Sequence, residues 1–344
     1  MKATAGRLPL FATSGRRRMV DSQSVATLGN RAPIVVLGAA VVDVIARAEQ
    51  LPQRGGDSAL QQQSVSVGGC ALNVALALHR LGMDAVSALP LGQGVWAELL
   101  RQKLTACGLT SVTETHKGDN GWCLALVEPD GERTFLSVAG VENQWDEAML
   151  ASVPLHAEGW LYLSGYQLIG KNAETLLSWL EGLANRPRLA IDFGPRLPAI
   201  APDHWQRVMA LQPLITLNRQ EAEHVWHQRL QQDGSFNAQA LITQWAKHFA
   251  SPLVVRLDSE GAGFSHHGQY GWIAAFKTAV VDTIGAGDSH TGGLLAALAS
   301  GWPLDNAVAL GNAVASFVVA QRGGDTAPDR AALIRHWQQC LTRQ

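Results

Sequence analysis

Apolar positions along this chain fall into two alternating rhythms, and the alternation predicts a layered α/β protein. Residues 34–45 (Ile-Val-Val-Leu-Gly-Ala-Ala-Val-Val-Asp-Val-Ile) form a continuous apolar run, as expected of a strand buried on both faces. Shorter apolar runs at 85–91, 189–193, 214–217 and 253–257 repeat the signal. Segments with helical spacing separate them: 70–81, with Leu72, Ala75, Leu76 and Leu78 inward and Gly82 as its stop, then 95–106 and 306–319. Strands alternating with helices read as βαβ units of a mainly parallel sheet. Two stretches break the rhythm. Residues 55–67 alternate in polarity like an exposed antiparallel strand, and residues 121–139 read as a hairpin about a Glu-Pro-Asp-Gly turn at 128–131. They predict a small separate sheet inserted as a lid over the strand ends.

The densest chemistry lies in residues 280–301. An apolar run stops at Asp282, the small residues Gly285, Ala286 and Gly287 follow, and Leu294, Leu295 and Leu298 then mark one face of a helix closed by Gly301. Glycines before a helix let backbone N–H groups approach an anion closely, where the helix dipole adds about half a positive charge. A carboxylate there, Asp288, would repel a bound phosphate, so it reads as a proton acceptor aimed at a neutral hydroxyl. The same residues also fit a Gly-rich turn with an Asp N-cap. Asp43, near the end of an apolar strand, needs a hydrogen bond or a ligand. Asn73, in the first turn after Gly68 and Gly69, fits either a backbone cap or a contact to a polyol.

Composition excludes more than it identifies. With 47% hydrophobic residues over 344 positions the chain can bury a large core, and a formal charge of -2 without a basic stripe argues against nucleic acid as a principal partner. Four scattered cysteines predict neither a zinc site nor a disulfide framework and point to a reducing cytoplasm. No apolar run reaches the ~18 to 20 residues that span a bilayer, so no membrane partner is expected. Residues 1–31, with Lys2, Arg7 and the Arg16-Arg17-Arg18 cluster, predict a disordered extension in which Met19 is an alternative start; residues 32–344 are expected to form the folded unit. Two motifs are formal matches only. Gly92-Gln-Gly94-Val-Trp-Ala97 meets the dinucleotide pattern, with Glu114 downstream, but in the second βα unit rather than the first. Gly165-Tyr-Gln-Leu-Ile-Gly170-Lys171-Asn172 is one residue short of a Walker loop, because Asn172 stands where a Ser or Thr would hold magnesium.

Taken together, Asp282-Thr-Ile-Gly-Ala-Gly-Asp288, Gly68-Gly69 with Asn73, and Asn218 with Glu221 resemble three motifs of the ribokinase-like (PfkB) family of carbohydrate and nucleoside kinases. These are the D-T-x-G-A-G-D signature, the Gly-Gly-x-x-x-Asn element and the N-x-x-E motif, and the resemblance runs from about Ile34 to the C-terminus. It implies a Rossmann-like three-layer α/β sandwich with a mainly parallel central sheet and a small β-sheet lid. The implied activity is ATP-dependent phosphotransfer to an alcohol of a small sugar or sugar derivative, with Asp288 as catalytic base and the backbone of Gly285, Ala286 and Gly287 as anion hole. By the same resemblance Asp43, Gly68, Gly69 and Asn73 hold the substrate, while Asn218, Asp258, Gly261 and Asn312 face the nucleotide, Asn312 at the adenine. Glu221 would serve Mg2+ through water. Asp282, the Ile284 carbonyl and the loop of Gly323 and Gly324 could supply oxygen ligands to K+. A homodimer through the lid is compatible with this reading, and a nucleoside kinase or a catalytically silent sugar-binding member stand as alternatives. Several positions depart from the pattern. Asp258 replaces a glycine of T-L-G-x-x-G, Arg256 a small hydroxyl residue, Gly194 the asparagine of D-x-N-x-R, Gln93-Gly94 an acidic pair, and His290 an aromatic residue. His290 reads as packing, since Asp288 already supplies the base.

Overall fold

In the computed structural model, which describes residues 20–342 apart from residue 131, the apolar run that begins at Ile34 does not continue as one strand. Ile34–Leu37 (β1) is buried at every position. Val41–Arg47 (β2) is buried only at Val42 and Ala46 and belongs to a second sheet. The break falls at Gly38, where a Cβ would stand 2.6 Å from that of Ala71. The chain must turn away there to admit the next helix, which corrects the expectation of a single buried strand over 34–45. Gln61–Gly68 (β3) pairs antiparallel with β2 and leads into Cys70–Arg80 (α1). Ala85–Ala88 (β4) then pairs parallel with β1. After Val95–Ala106 (α2), the hairpin of Trp122–Val127 (β5) and Arg133–Val138 (β6) completes the second sheet in the order β3-β2-β5-β6.

The remaining chain keeps the βα rhythm: Glu147–Ala151 (α3), Trp160–Ser164 (β7), Gly170–Gly182 (α4), Arg188–Asp192 (β8), Pro202–Ala210 (α5), Leu214–Leu217 (β9), Arg219–His224 (α6), Ala238–His248 (α7) and Leu253–Arg256 (β10). An antiparallel pair, Ala262–His266 (β11) and Gln269–Ile273 (β12), precedes Ala286–Ala299 (α8), Leu304–Val318 (α9) and Arg330–Thr342 (α10). The central sheet runs β12-β11-β10-β9-β8-β7-β1-β4, parallel from β10 to β4. Alternate residues of β1 point to opposite faces: Ile34 and Val36 join the cluster of Leu72, Leu294 and Leu310, whereas Val35 and Leu37 join that of Leu176, Trp205 and Trp245. Helices therefore cover both faces, and the three-layer sandwich with a lid holds as expected. The strand order reverses beside β1, between β4 and β7, and in such sheets ligands bind outside the carboxyl ends at the reversal.

The N-terminal expectation needs correction. Ser22–Thr27 form a 3-10 turn capped by Asp21, and Val25 and Leu28 are buried in the first cluster, so residues 20–31 are part of the fold. Two apolar side chains three residues apart anchor this segment together with hydrogen bonds from Gly29 to Ser300 and from Arg31 and Ala32 to the Ala299 carbonyl. The arginine cluster and Met19 lie outside the described residues. No described helix is long and apolar enough to cross a membrane.

Candidate active site

The start of α8 faces the crevice. Its N-cap, Gly285, has φ +73°, and a Cβ there would come 2.6 Å from the Gly324 carbonyl oxygen, so this position requires glycine. Ala286 donates its N–H to the Thr283 carbonyl at 3.2 Å, which closes the turn. The amides of Gly287 and Asp288 donate to no acceptor among the described residues. Of the three residues expected to form the anion hole, Ala286 thus has its amide committed to the turn. Asp288 lies half-buried in the first turn of α8, with protein around its carboxyl on most sides, and its Oδ2 accepts from Asn73 Nδ2 at 2.8 Å. Burial raises the carboxyl to about 6, opposed by the Asn73 hydrogen bond and assisted by the negative charge of Asp192.

Asp43 reaches this region from the lid, since it lies on β2 rather than at the end of a central strand. A Cβ on Gly68 would stand 3.0 Å from its Oδ2. Burial alone raises its pKa, and its carboxylate accepts no hydrogen bond among the described residues. Gly69, with φ +111°, would bring a Cβ within 2.6 Å of the Ala39 carbonyl oxygen. The glycine pair therefore lets β3 pass close beneath the exit of β1 and places Asn73 one turn into α1.

On the other side of the crevice Asn218 caps α6. Its Oδ1 accepts from the Glu221 N–H at 2.9 Å, while Glu221 Oε2 accepts from the Asn218 N–H at 2.9 Å and Oε1 from Asn218 Nδ2 at 2.6 Å. Burial, reinforced by Asp192, raises Glu221 to about 7. Asp258 is exposed, with φ +54° in the left-handed region that a glycine would adopt freely, and Arg219 pairs with it at 3.1 Å. Gly261, at φ +97°, would put a Cβ 2.1 Å from the Ile273 carbonyl oxygen. Asn312, expected at the adenine, has its side-chain amide engaged internally. It is buried, its Nδ2 donates to the Ile273 and Ala274 carbonyls at 3.0 and 3.3 Å, and its Oδ1 faces His290 Nε2 at 3.1 Å. With both amide hydrogens used internally, Asn312 ties α9 to the end of β12. Burial and Arg256 hold His290 down at about 3, so the ring is neutral and its Nε2–H donates to Asn312, in keeping with packing.

Asp282 accepts from the Ile284 N–H at 3.1 Å through Oδ1 and from the Gly323 N–H at 3.0 Å through Oδ2, drawing the two loops together. Between α8 and α6 lies a polar cluster that motif reading left without a role. Arg256, at the end of β10, donates to Asp192 Oδ2 at 2.8 Å and Oδ1 at 3.3 Å, and to Thr216 Oγ1 at 2.8 Å. Thr291, one turn past Asp288, bonds the same Asp192 at 3.0 Å. A polar residue three positions after Asp288 on one helix face was the available signal for Thr291. Cys70 is a further neighbour, its thiol pushed up by burial and by Asp288.

Neither formal motif builds a phosphate site. At the start of α2 the chain's own Asp119 accepts from the Ala97 and Trp96 amides at 2.8 and 3.1 Å, filling the position a dinucleotide phosphate would need. Asn172 is buried and bonds the Trp145 amide at 3.2 Å and Gln167 at 2.8 Å.

Known proteins resemble this chain over most of its length. The model of the pfkB family carbohydrate kinases matches residues 31–330. An uncharacterized sugar kinase of Escherichia coli K12, YegV, is 55% identical over 311 residues, covering 89% of this chain and 94% of its own. The ATP-dependent ribose-1-phosphate kinase of Halopiger xanaduensis is 24% identical over 85% of this chain and 93% of its own. Among solved structures, the ribokinase of Arabidopsis thaliana complexed with ribose and ATP superposes with a TM-score of 0.74 at 20% identity, over 89% of this chain and 99% of that one.

Proposed function

Because this chain belongs to the pfkB family of carbohydrate kinases, we propose that it transfers the γ-phosphate of ATP to a hydroxyl of a small polyhydroxylated sugar or sugar derivative, with Asp288 as the base. The observation that carries this reading is the pairing of a raised, half-buried carboxyl with the uncommitted Gly287 and Asp288 amides at the start of α8. The acceptor hydroxyl gives its proton to Asp288 as its oxygen bonds to the γ-phosphorus. The bond from that phosphorus to the β,γ-bridging oxygen breaks, and its electron pair leaves with ADP. Charge developing on the transferring group meets the helix-start amides and dipole. Asp43 and Asn73 orient the acceptor beneath the lid, and Asn218, Asp258 and Gly261 border the nucleotide.

Magnesium, when bound, would supply positive charge that offsets that of the phosphates. Both oxygens of Glu221 already accept from Asn218, and no cluster of three His, Cys, Asp or Glu side chains among the described residues could hold a metal. That donor set fits an ion held mainly by phosphate oxygens and water, with Glu221 acting through water. For a monovalent cation, the Asp282 carboxylate and backbone carbonyls of the adjoining loops are suitable hard ligands. Replacing potassium by tetramethylammonium at equal ionic strength is expected to slow phosphorylation, and equal rates would remove this site.

The acceptor is best sought by thermal shift of the full chain against sugars, sugar acids, sugar phosphates and nucleosides, with and without an ATP analogue. Arg196 is exposed beside Tyr166, 6.0 Å from its ring centroid, with no carboxylate partner among the described residues, which supports anionic acceptors within that set. Stabilisation by nucleosides alone would move the reading to nucleoside kinase. Absence of any shift with the ATP analogue would count against phosphotransfer.

The lid also supports a homodimer. Its edge strand β6 exposes Leu136 (52%) and Val138 (50%) on one face, an apolar pair that a second copy would cover, and Phe135 (60%) on the other. Leu136→Lys is expected to convert the dimer to monomer in sedimentation velocity; a monomeric parent chain would exclude this interface.

A further inference from the structure

Arginine at the end of a central strand is an expensive residue to bury, and Arg256 is largely enclosed, its side chain 13% exposed. Three strands and α8 fix its orientation. The Nη1 hydrogens go to Asp192 Oδ2 and Thr216 Oγ1, both at 2.8 Å, with Thr291 Oγ1 at 3.3 Å, and one Nη2 hydrogen goes to Asp192 Oδ1 at 3.3 Å. A guanidinium has five N–H donors in a rigid fork. The second Nη2 hydrogen and Nε–H find no acceptor among the described residues.

Nη1 meets Thr291 of α8, and the edge that carries the remaining donors, Nη2 and Nε, lies close to Gly287 in the first turn of the same helix. A Cβ built on Gly287 would stand 3.4 Å from Nη2, 3.7 Å from Cζ and 3.8 Å from Nε, ordinary contact distances that place the guanidinium directly beside the start of the helix. Gly287 also carries one of the two helix-start amides with no internal acceptor. Amide and guanidinium donors therefore border the same space. Arg256 Nε is not among the buried polar atoms left without a partner, so these unused donors face the open crevice and are free to meet a ligand.

We infer that Arg256 is a built-in catalytic arginine, whose Nε–H and free Nη2–H donate to oxygens of the transferring phosphoryl group beside the α8 amides, and that Asp192 is the positioning residue that aims it. The inference rests on the phosphotransfer reading above and adds a group to it. A fixed, poorly hydrated cation there stabilises charge that develops in transfer, the role an arginine plays in several phosphotransferases.

The test measures binding of ADP with Mg2+ to the full chain, with and without aluminium fluoride as a mimic of the transferring group. The parent chain should bind the fluoroaluminate complex more tightly than ADP. In Arg256→Lys, which keeps the charge but loses the fork, that gain should shrink by at least tenfold while the ADP constant changes less than threefold, a split that a structural role would not produce. If Arg256→Lys fails to fold, Asp192→Asn/Arg256→Gln removes both buried charges together and is read in the same way. An undiminished gain in a folded variant, or no gain in a parent chain that binds ADP, overturns the assignment and leaves the phosphotransfer reading standing. Failure of the parent chain to bind ADP at all overturns both.

Discussion

Asp288→Asn is expected to lower kcat by about 10² to 10⁴ while leaving ATP affinity unchanged or slightly higher. The amide keeps the size of the side chain but cannot accept the proton that the attacking hydroxyl loses. Removing a negative charge beside the triphosphate reduces repulsion, so the two effects have opposite signs. A variant that lost ATP affinity and kept kcat would make Asp288 a nucleotide or metal anchor instead. The same carboxyl gives a pH signature. Raised to about 6, it must be ionised to act, so the parent kcat should fall as pH drops below about 6, and the Asn variant should lose that limb. Stability follows the opposite course. A carboxyl whose folded pKa lies above its unfolded value binds protons more tightly in the folded state; its stabilising contribution is present below the unfolded pKa, about 3.9, and is lost as pH rises through about 6. At pH 7 the neutral Asn variant should therefore melt higher than the parent.

What the sequence made legible was whatever the chain encodes locally. The glycines before α8 and its apolar helix lie within one short stretch, so a helix start suited to an anion could be read there without knowing the fold. The hydrogen bond from Asn73 to Asp288 joins residues 215 positions apart, and no local pattern announces it. The same holds for Arg256, whose partners Asp192, Thr216 and Thr291 come from two other strands and a helix. The apolar run at 34–45 misled for a different reason: periodicity cannot separate one strand buried on both faces from two strands in different sheets. The deciding fact is the approach of Ala71 to Gly38, again a tertiary contact. Asn312 shows the converse limit. A motif position suggests a ligand contact, but the carbonyls that saturate this amide belong to β12 and the residue after it. Local signals were also missed. His267 and Gly268 both have positive φ, at +49° and +75°, so they form the tight turn joining β11 to β12 that a His-Gly pair between two short runs permits.

Asp43→Ala is expected to raise the acceptor's dissociation constant at least tenfold without weakening the fold or ATP binding. The lid delivers this carboxylate to the crevice at a cost, because burial raises its pKa and no internal hydrogen bond offsets that burial. A residue that only stabilised the lid would be better served by a partner or by an apolar side chain. Hydrogen bonds to a charged group contribute roughly 1.5 to 3 kcal/mol each, so losing even one from the acceptor's hydroxyls corresponds to a factor of ten or more. Asp43→Asn retains one acceptor oxygen and should fall between parent and alanine variant. Since the alanine removes a carboxylate without internal partners, its melting temperature should match or exceed that of the parent, which separates lost recognition from lost structure. Gly68 offers an independent check. A methyl group there would press within 3.0 Å of Asp43 Oδ2, so Gly68→Ala should weaken the same ligand in the same direction. An unchanged acceptor constant in a folded Asp43→Ala chain would take Asp43 out of the site and leave Asn73, from α1, as the nearest group to orient the attacking hydroxyl toward Asp288.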